Sequence, residues 1–400
     1  MPSIALILWS MRHLLLIVGP CTGKNLPKYD ITRVNLMTLK SKLAASVAVL
    51  GLGSTMALAE GLERVNLDPS FLFESGNYAE FSYGSVTPSI PSGGAIVRDN
   101  VAGSFTVTNF AAKTSLGDSL DLGIWSTSNG NGASIDWGTT PNGVVKAELT
   151  IPTMAALVRY RINDNISIIG GLKRSTVNDG GLLKLPITAV TAGGTWNISS
   201  ASTTAAVYGV AYEMPEIAMR VSVVAEASSS LDIDTSYTIA ETGATVHTGV
   251  SKASIGDATT LSFQSGIAAD TLLFGSVRVS SWKNNQVSVP HPTLGHKDIS
   301  SFGDGSSYTV GLGRKFSDKL SGSVSYFSDP ASDCKPTSAL SPICENTSIN
   351  LGAKYSLSDS ATLSLGTTWT QYGDASAFGG AATTTKSTKT SYGFKLSYKF

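Results

Sequence analysis

The chain has 400 residues and no formal net charge, and only 14% of it is charged. An average soluble domain carries about 25% charged residues, so this sequence is charge-poor; beyond residue 60, however, no apolar run reaches the roughly 18 residues a helical membrane span needs. Its 40 glycines, with abundant Ser and Thr, suit strands and turns better than helices.

Residues 1–36 contain an apolar run, Ile4–Val18, broken by Arg12 and His13. The expected translation start is therefore Met37, with 1–36 an upstream extension; an extended signal sequence is the alternative. In residues 37–59, Lys40 and Lys42 form a positive region and Leu43–Leu52 a short apolar stretch. Ala57-Leu58-Ala59 is a small-x-small cleavage site. This is the pattern of a signal peptide removed on export, which puts the mature start near Glu60. The leader holds Arg12, Lys24, Lys28, Arg33, Lys40 and Lys42 against Asp30 alone, so the remainder is mildly acidic. Such a product has no electrostatic footprint for nucleic acid. No P-loop, dinucleotide fingerprint or zinc spacing occurs, and no cofactor is expected.

Residues 60–77 precede the first strand, and 78–400 are expected to form a transmembrane antiparallel β-barrel. Fourteen segments carry the strand pattern: 76–87, 102–114, 119–127, 151–161, 166–174, 202–212, 217–228, 258–267, 271–283, 306–316, 319–328, 347–356, 361–372 and 390–400. Each is near the ten residues or so that a tilted strand needs to cross a bilayer, and their number is even, as single-chain bacterial barrels require. The final one alternates strictly. Tyr392, Phe394, Leu396, Tyr398 and Phe400 fall on one face, and Ser391, Gly393, Lys395, Ser397 and Lys399 on the other. Similar faces hold Ile349, Leu351, Ala353 and Tyr355; Leu320, Val324 and Tyr326; and Tyr308, Val310 and Leu312. Arg159, Arg161, Arg220 and Arg278 lie opposite apolar faces. That placement fits a polar lumen, since Arg facing lipid at midplane costs about 2–4 kcal/mol.

Connections alternate between short turns (163–165, 213–216, 268–270, 317–318, 357–360) and longer stretches (88–101, 128–150, 175–200, 229–257, 284–304, 329–346, 373–389). Short periplasmic turns and long extracellular loops follow this rule. It places the loop DCKPTSALSPICE outside the cell, where Cys334 and Cys344 are expected to form a disulfide. No His lies near enough to suggest a metal site.

The stretches YEMPEIAMRVSV (212–223) and FQSGIAADTLLFGSVRVSSWK (263–283) resemble the short turns and strands of the long-chain fatty-acid outer-membrane transporters, the FadL-like family. The strand number, loop pattern and terminal strand extend the resemblance over most of the mature chain. It implies a barrel in the bacterial outer membrane, inserted by the barrel assembly machinery, monomeric, and occluded by an N-terminal hatch. Hydrophobic cargo, fatty acids above all, would bind among the extracellular loops and then near the hatch, and leave sideways into outer-membrane lipid. The family's Asn-Pro-Ala hatch stretch is absent, and residues 60–77 would make a short hatch. Phe71, Leu72 and Phe73 are its candidate tail-binding residues, or else simply begin the first strand. Arg159, Arg161, Arg220 and Arg278 are candidate receivers of a carboxylate headgroup, or else partners of lumen acids.

Other functions make distinct demands. A general diffusion porin needs an open polar pore, and a structural or adhesive barrel would move nothing. An enzyme needs an acid, His or Ser arrangement at the rim, whereas His247, His291 and His296 are scattered over loops and no G-x-S-x-G occurs.

Overall fold

The computed structural model describes residues 61–140, 143–187, 192–239, 243–291, 295–330 and 338–400. The expected leader and Cys334 lie outside them. Among the described residues, fourteen strands form one closed antiparallel barrel. In chain order they are β1 (Tyr78–Ser89), β2 (Phe105–Leu116), β3 (Leu120–Thr140), β4 (Gly143–Arg161), β5 (Ile166–Val177), β6 (Ala201–Met214) and β7 (Met219–Glu226). Then follow β8 (Ala258–Ala268), β9 (Thr271–Ser280), β10 (Gly305–Lys315), β11 (Leu320–Asp329), β12 (Asn346–Ser356), β13 (Ala361–Tyr372) and β14 (Thr388–Lys399). Each pairs with the next. Closure comes from β1 on β14, in register from Tyr78↔Lys399 to Ser89↔Thr388. Closure pairs the first strand with the last, so neither is left as an open sheet edge, as lipid demands.

The period-two alternation becomes two surfaces. Outside are Val158, Tyr160, Val310, Leu312, Leu351, Leu365 and the apolar set of β14, all exposed. A continuous exposed apolar band belongs against lipid rather than water. Tyr160, Tyr212, Phe316, Tyr355 and Tyr398 ring the barrel at its short-turn end, the position of an interfacial aromatic girdle. Inside, Lys113, Arg159, Lys173 and Arg278 are buried.

Three of the expected loops contain strands. The connection at 128–150 is no loop: β3 and β4 run on past the barrel as one long hairpin to Thr140 and Gly143. Those at 175–200 and 229–257 likewise contain hairpins, Gly181–Ile187 with Ala192–Ile198 and Ser229–Ile239 with Gly243–Ile255. These extensions meet over one side of the barrel, where Leu183, Trp196, Leu231, Ile233, Trp282 and Phe302 share an apolar core. A second core, holding Trp137, Ile343 and Tyr372, covers the other side. Cys344 is disulfide-bonded.

Candidate functional site

Residues 61–77 run through the interior. Asp68 caps a short 3-10 turn, Pro69–Phe73, by accepting the Ser70 N–H at 2.9 Å, and Pro69 supplies the preset φ of a helical first position. Phe71, Leu72 and Phe73 therefore belong to this turn and not to β1. Phe71 and Leu72 are buried among Leu67, Trp125, Ala155, Leu157, Ile169 and Val224. Their seat depends on Gly123 of β3, where a Cβ would lie 2.5 Å from Leu72 and 2.6 Å from Phe71. The Leu72 carbonyl accepts from Arg159 at 3.3 Å. Phe73 is only half-buried, and its ring lies between two guanidinium groups, 4.2 Å from Arg159 and 4.3 Å from Arg220.

Charge binds this segment to one side of the barrel. Glu63 accepts from Arg278 of β9 at 2.6 Å. Arg278 also holds Glu226 of β7 at 2.8 Å, and Glu226 pairs onward with Lys173 of β5. Lower down, Asp121 gathers Lys113 (3.0 Å), Arg161 (2.6 Å) and Arg159 (3.9 Å), and Arg159 also pairs with Glu213. Three of the four arginines expected to receive a headgroup, Arg159, Arg161 and Arg278, thus already hold carboxylates. Arg220 differs: its side chain donates to Gln264 at 3.2 Å, and no ion pair forms among the described residues. The sequence placed all four on the inner face but could not supply their partners.

Away from these ties the lumen holds a cavity of about 190 Å³, between the segment and β7–β13. Phe73, Arg220 and Gln264 line it together with the apolar Phe274 and Phe327 and small polar side chains such as Ser307 and Thr368. Phe71 and Leu72 do not line it; they fix the turn that presents Phe73.

The wall itself has a gap. The β2–β3 ladder stops at Asn109↔Thr127. On β3, Ser128, Asn129 and Gly130 break the register against β4, which resumes at Asn131↔Ile151. The Gly130 carbonyl turns to the inner segment and accepts the N–H groups of Arg64 (2.9 Å) and Val65 (3.1 Å). In place of a ladder bond, the Thr108 N–H donates to the Ser128 hydroxyl at 2.9 Å. The break opens a hollow of about 570 Å³ bounded by Phe105, Thr106, Ser128, Asn129, Thr150 and Asp179, with Arg64 on its inner side. Arg64 is only 7% exposed. Its guanidinium lies 4.1 Å over the Phe105 ring and donates to Asn129 at 3.2 Å. Burial pulls its pKa down to about 10, which still leaves it cationic at neutral pH. Sequence reasoning missed both Arg64 and the gap. The available signal was Asn-Gly-Asn-Gly at 129–132, which reads as a turn.

No family model matches the chain, and no curated protein matches it in sequence. Solved structures do match in shape. A FadL homologue of Pseudomonas aeruginosa aligns with a TM-score of 0.66 at 10% identity, over 83% of this chain and 92% of that one. The toluene transporter TodX of Pseudomonas putida gives 0.61 at 12%, over 82% and 90%. The toluene transporter TbuX of Ralstonia pickettii gives 0.59 at 11%, over 86% and 97%. Identities this low speak for the fold and leave the cargo open. By its fold, this chain is a barrel of the FadL type.

Proposed function

We propose that the chain is an outer-membrane channel for the passive uptake of hydrophobic compounds, with long-chain fatty acids as its cargo. The solved relatives include a FadL homologue and toluene transporters, and the geometry supports the same class of work here. Residues 61–77 act as a short hatch. Leu67, Phe71 and Leu72 seal one side of the lumen against straight passage of water and ions. Cargo enters among the apolar hairpins of the long-loop end, where Leu62, Ile151, Leu231 and Trp282 line a small apolar hollow. It then occupies the cavity beside Phe73, with Arg220 as receiver of the headgroup, and leaves through the gap between β2 and β3 into lipid. The observation that carries the reading is this gap beside a blocked lumen. A porin needs the reverse, an intact wall around an open axis.

The test is uptake of labelled oleate by a host without its own fatty-acid transporter, with and without residues 37–400. Uptake that depends on the chain supports the proposal. Deleting Asn129 and Gly130 leaves Ser128 opposite Pro152, which restores a regular β3, and should abolish uptake while heat-modifiable migration of the folded barrel persists. Undiminished uptake in that variant would reject the sideways route. A large, steady conductance in a planar bilayer would favour the porin instead.

A further inference from the structure

Arg64 has a position that the uptake route does not by itself require. The segment could cross the gap with any side chain, because its hold on β3 runs through the backbone N–H groups of Arg64 and Val65 to Gly130. Yet the residue there carries a charge, and nine-tenths of it is removed from solvent. Burying a cation is costly unless a counter-charge meets it. The other buried interior cations described above meet that need: Lys113, Arg159, Lys173 and Arg278 each have a carboxylate. Arg64 forms no ion pair among the described residues; it has the amide oxygen of Asn129 and the face of Phe105. Two carboxylates border the same hollow, but neither is its partner. Glu148 is paired with Lys146 at 2.9 Å, and Asp179 forms no ion pair with it.

A guanidinium over a ring, with one Nη group engaged by an amide, keeps further N–H donors for a planar anion. Carboxylates fit that fork in bidentate fashion. The Phe105 ring and the Asn129 amide already hold the guanidinium in place, so little freedom is lost when the anion arrives. The hollow beside it is lined mostly by polar residues, with Phe105 and Leu149 as the apolar groups that an alkyl chain can touch.

We infer that Arg64 is a specificity-determining residue at the wall gap, one that receives the carboxylate of an amphipathic acid as its chain passes into lipid. This rests on the uptake reading and narrows it: acids should use the gap better than neutral molecules of the same chain. A neutral molecule gains nothing from the cation and must still pass it.

The test compares uptake of labelled oleate and labelled oleyl alcohol, which share a chain and differ in the headgroup, in cells carrying the full-length precursor or its Arg64→Gln or Arg64→Lys variant. Arg64→Gln should lower oleate uptake roughly tenfold at limiting concentration, mainly by raising the half-saturation concentration, the size expected for one lost charge-assisted contact. Oleyl alcohol uptake should stay within about twofold, and Arg64→Lys, which keeps the charge but not the planar fork, should recover oleate uptake in part. Equal losses for both molecules would reduce Arg64 to a brace for the segment and overturn the inference, as would unchanged oleate uptake in the Gln variant. Wild type that carries the alcohol but not the acid would also overturn it and leave the channel reading intact. Wild type that carries neither would remove the channel reading, and the inference with it.

Discussion

The two sides of this barrel are built alike outside and differently inside. On β2–β7, inward positions carry charges and large apolar groups: Lys113, Asp121, Trp125, Leu157, Arg159 and Glu226. They meet residues 61–77 closely, and the hollow at the wall gap lies above them, beside Arg64. On β10–β13 the buried positions are mostly small and polar, Ser307, Ser325, Ser348, Ser364 and Thr368 among them, and Ser307, Ser325 and Thr368 line the cavity. The outward positions of both sides are the same mix of aliphatic and aromatic residues. Lipid therefore sets a common outer rule, while side-chain volume and charge inside decide which half is a seat for the segment and which is a passage.

The tie at Arg278 should break that contrast most. Arg278→Met leaves the buried carboxylate of Glu63 without its partner and Glu226 with Lys173 alone. Removing one member of a buried ionic group costs about 3–5 kcal/mol. The expected outcome is a large loss of stability in urea titrations of the folded barrel, together with increased single-channel conductance as the segment leaves its seat. A variant with wild-type conductance would show that apolar packing alone holds it.

A smaller effect is expected where the two sides meet. Phe73 lies between Arg159 of the packed side and Arg220 of the open one. Phe73→Leu keeps an apolar side chain but loses both ring contacts, each worth about 0.5–1 kcal/mol. Oleate affinity of the purified barrel, measured by displacement of a fluorescent fatty acid, should fall roughly threefold to tenfold, because Arg220 is no longer held at the cavity. Unchanged affinity would place the inner site away from Phe73.

Much of this contrast was legible in the sequence, but unevenly. Strand positions were, because each strand repeats one pattern and lipid enforces it, as in Tyr392 to Phe400. The inner face of Arg159, Arg161, Arg220 and Arg278 was legible for the same reason. Their partners were not: Glu63 and Arg278 lie far apart in the chain, and periodicity gives a face, never a contact across the lumen. Residues 61–77 have no period, so nothing marked Arg64 as inward. The hairpins at 181–198 and 229–255 were readable in principle. Leu231, Ile233 and Tyr237 alternate with Asp232 and Asp234, although here the apolar side faces a protein core instead of lipid. The gap was hidden because Asn129-Gly130 signals a turn wherever it occurs, and only the pairing of β3 with β4 on both sides of it makes the same residues a kink.

The finest test applies one small substitution to both sides. Ser167 of β5 is buried in the packed half and accepts from Arg159 Nε at 3.0 Å. Ser167→Ala deprives a buried guanidinium of an acceptor with no room for water to replace it, and should cost about 1–2 kcal/mol. Ser325 of β11 lines the cavity and accepts from Asn350 at 3.2 Å. There a water can take over the bond, so Ser325→Ala should stay within about 0.5 kcal/mol. Urea midpoints measured side by side would show the difference directly. If Ser325→Ala cost as much as Ser167→Ala, the open half would be as tightly engaged as the packed one, and the passage would have to lie elsewhere in the barrel.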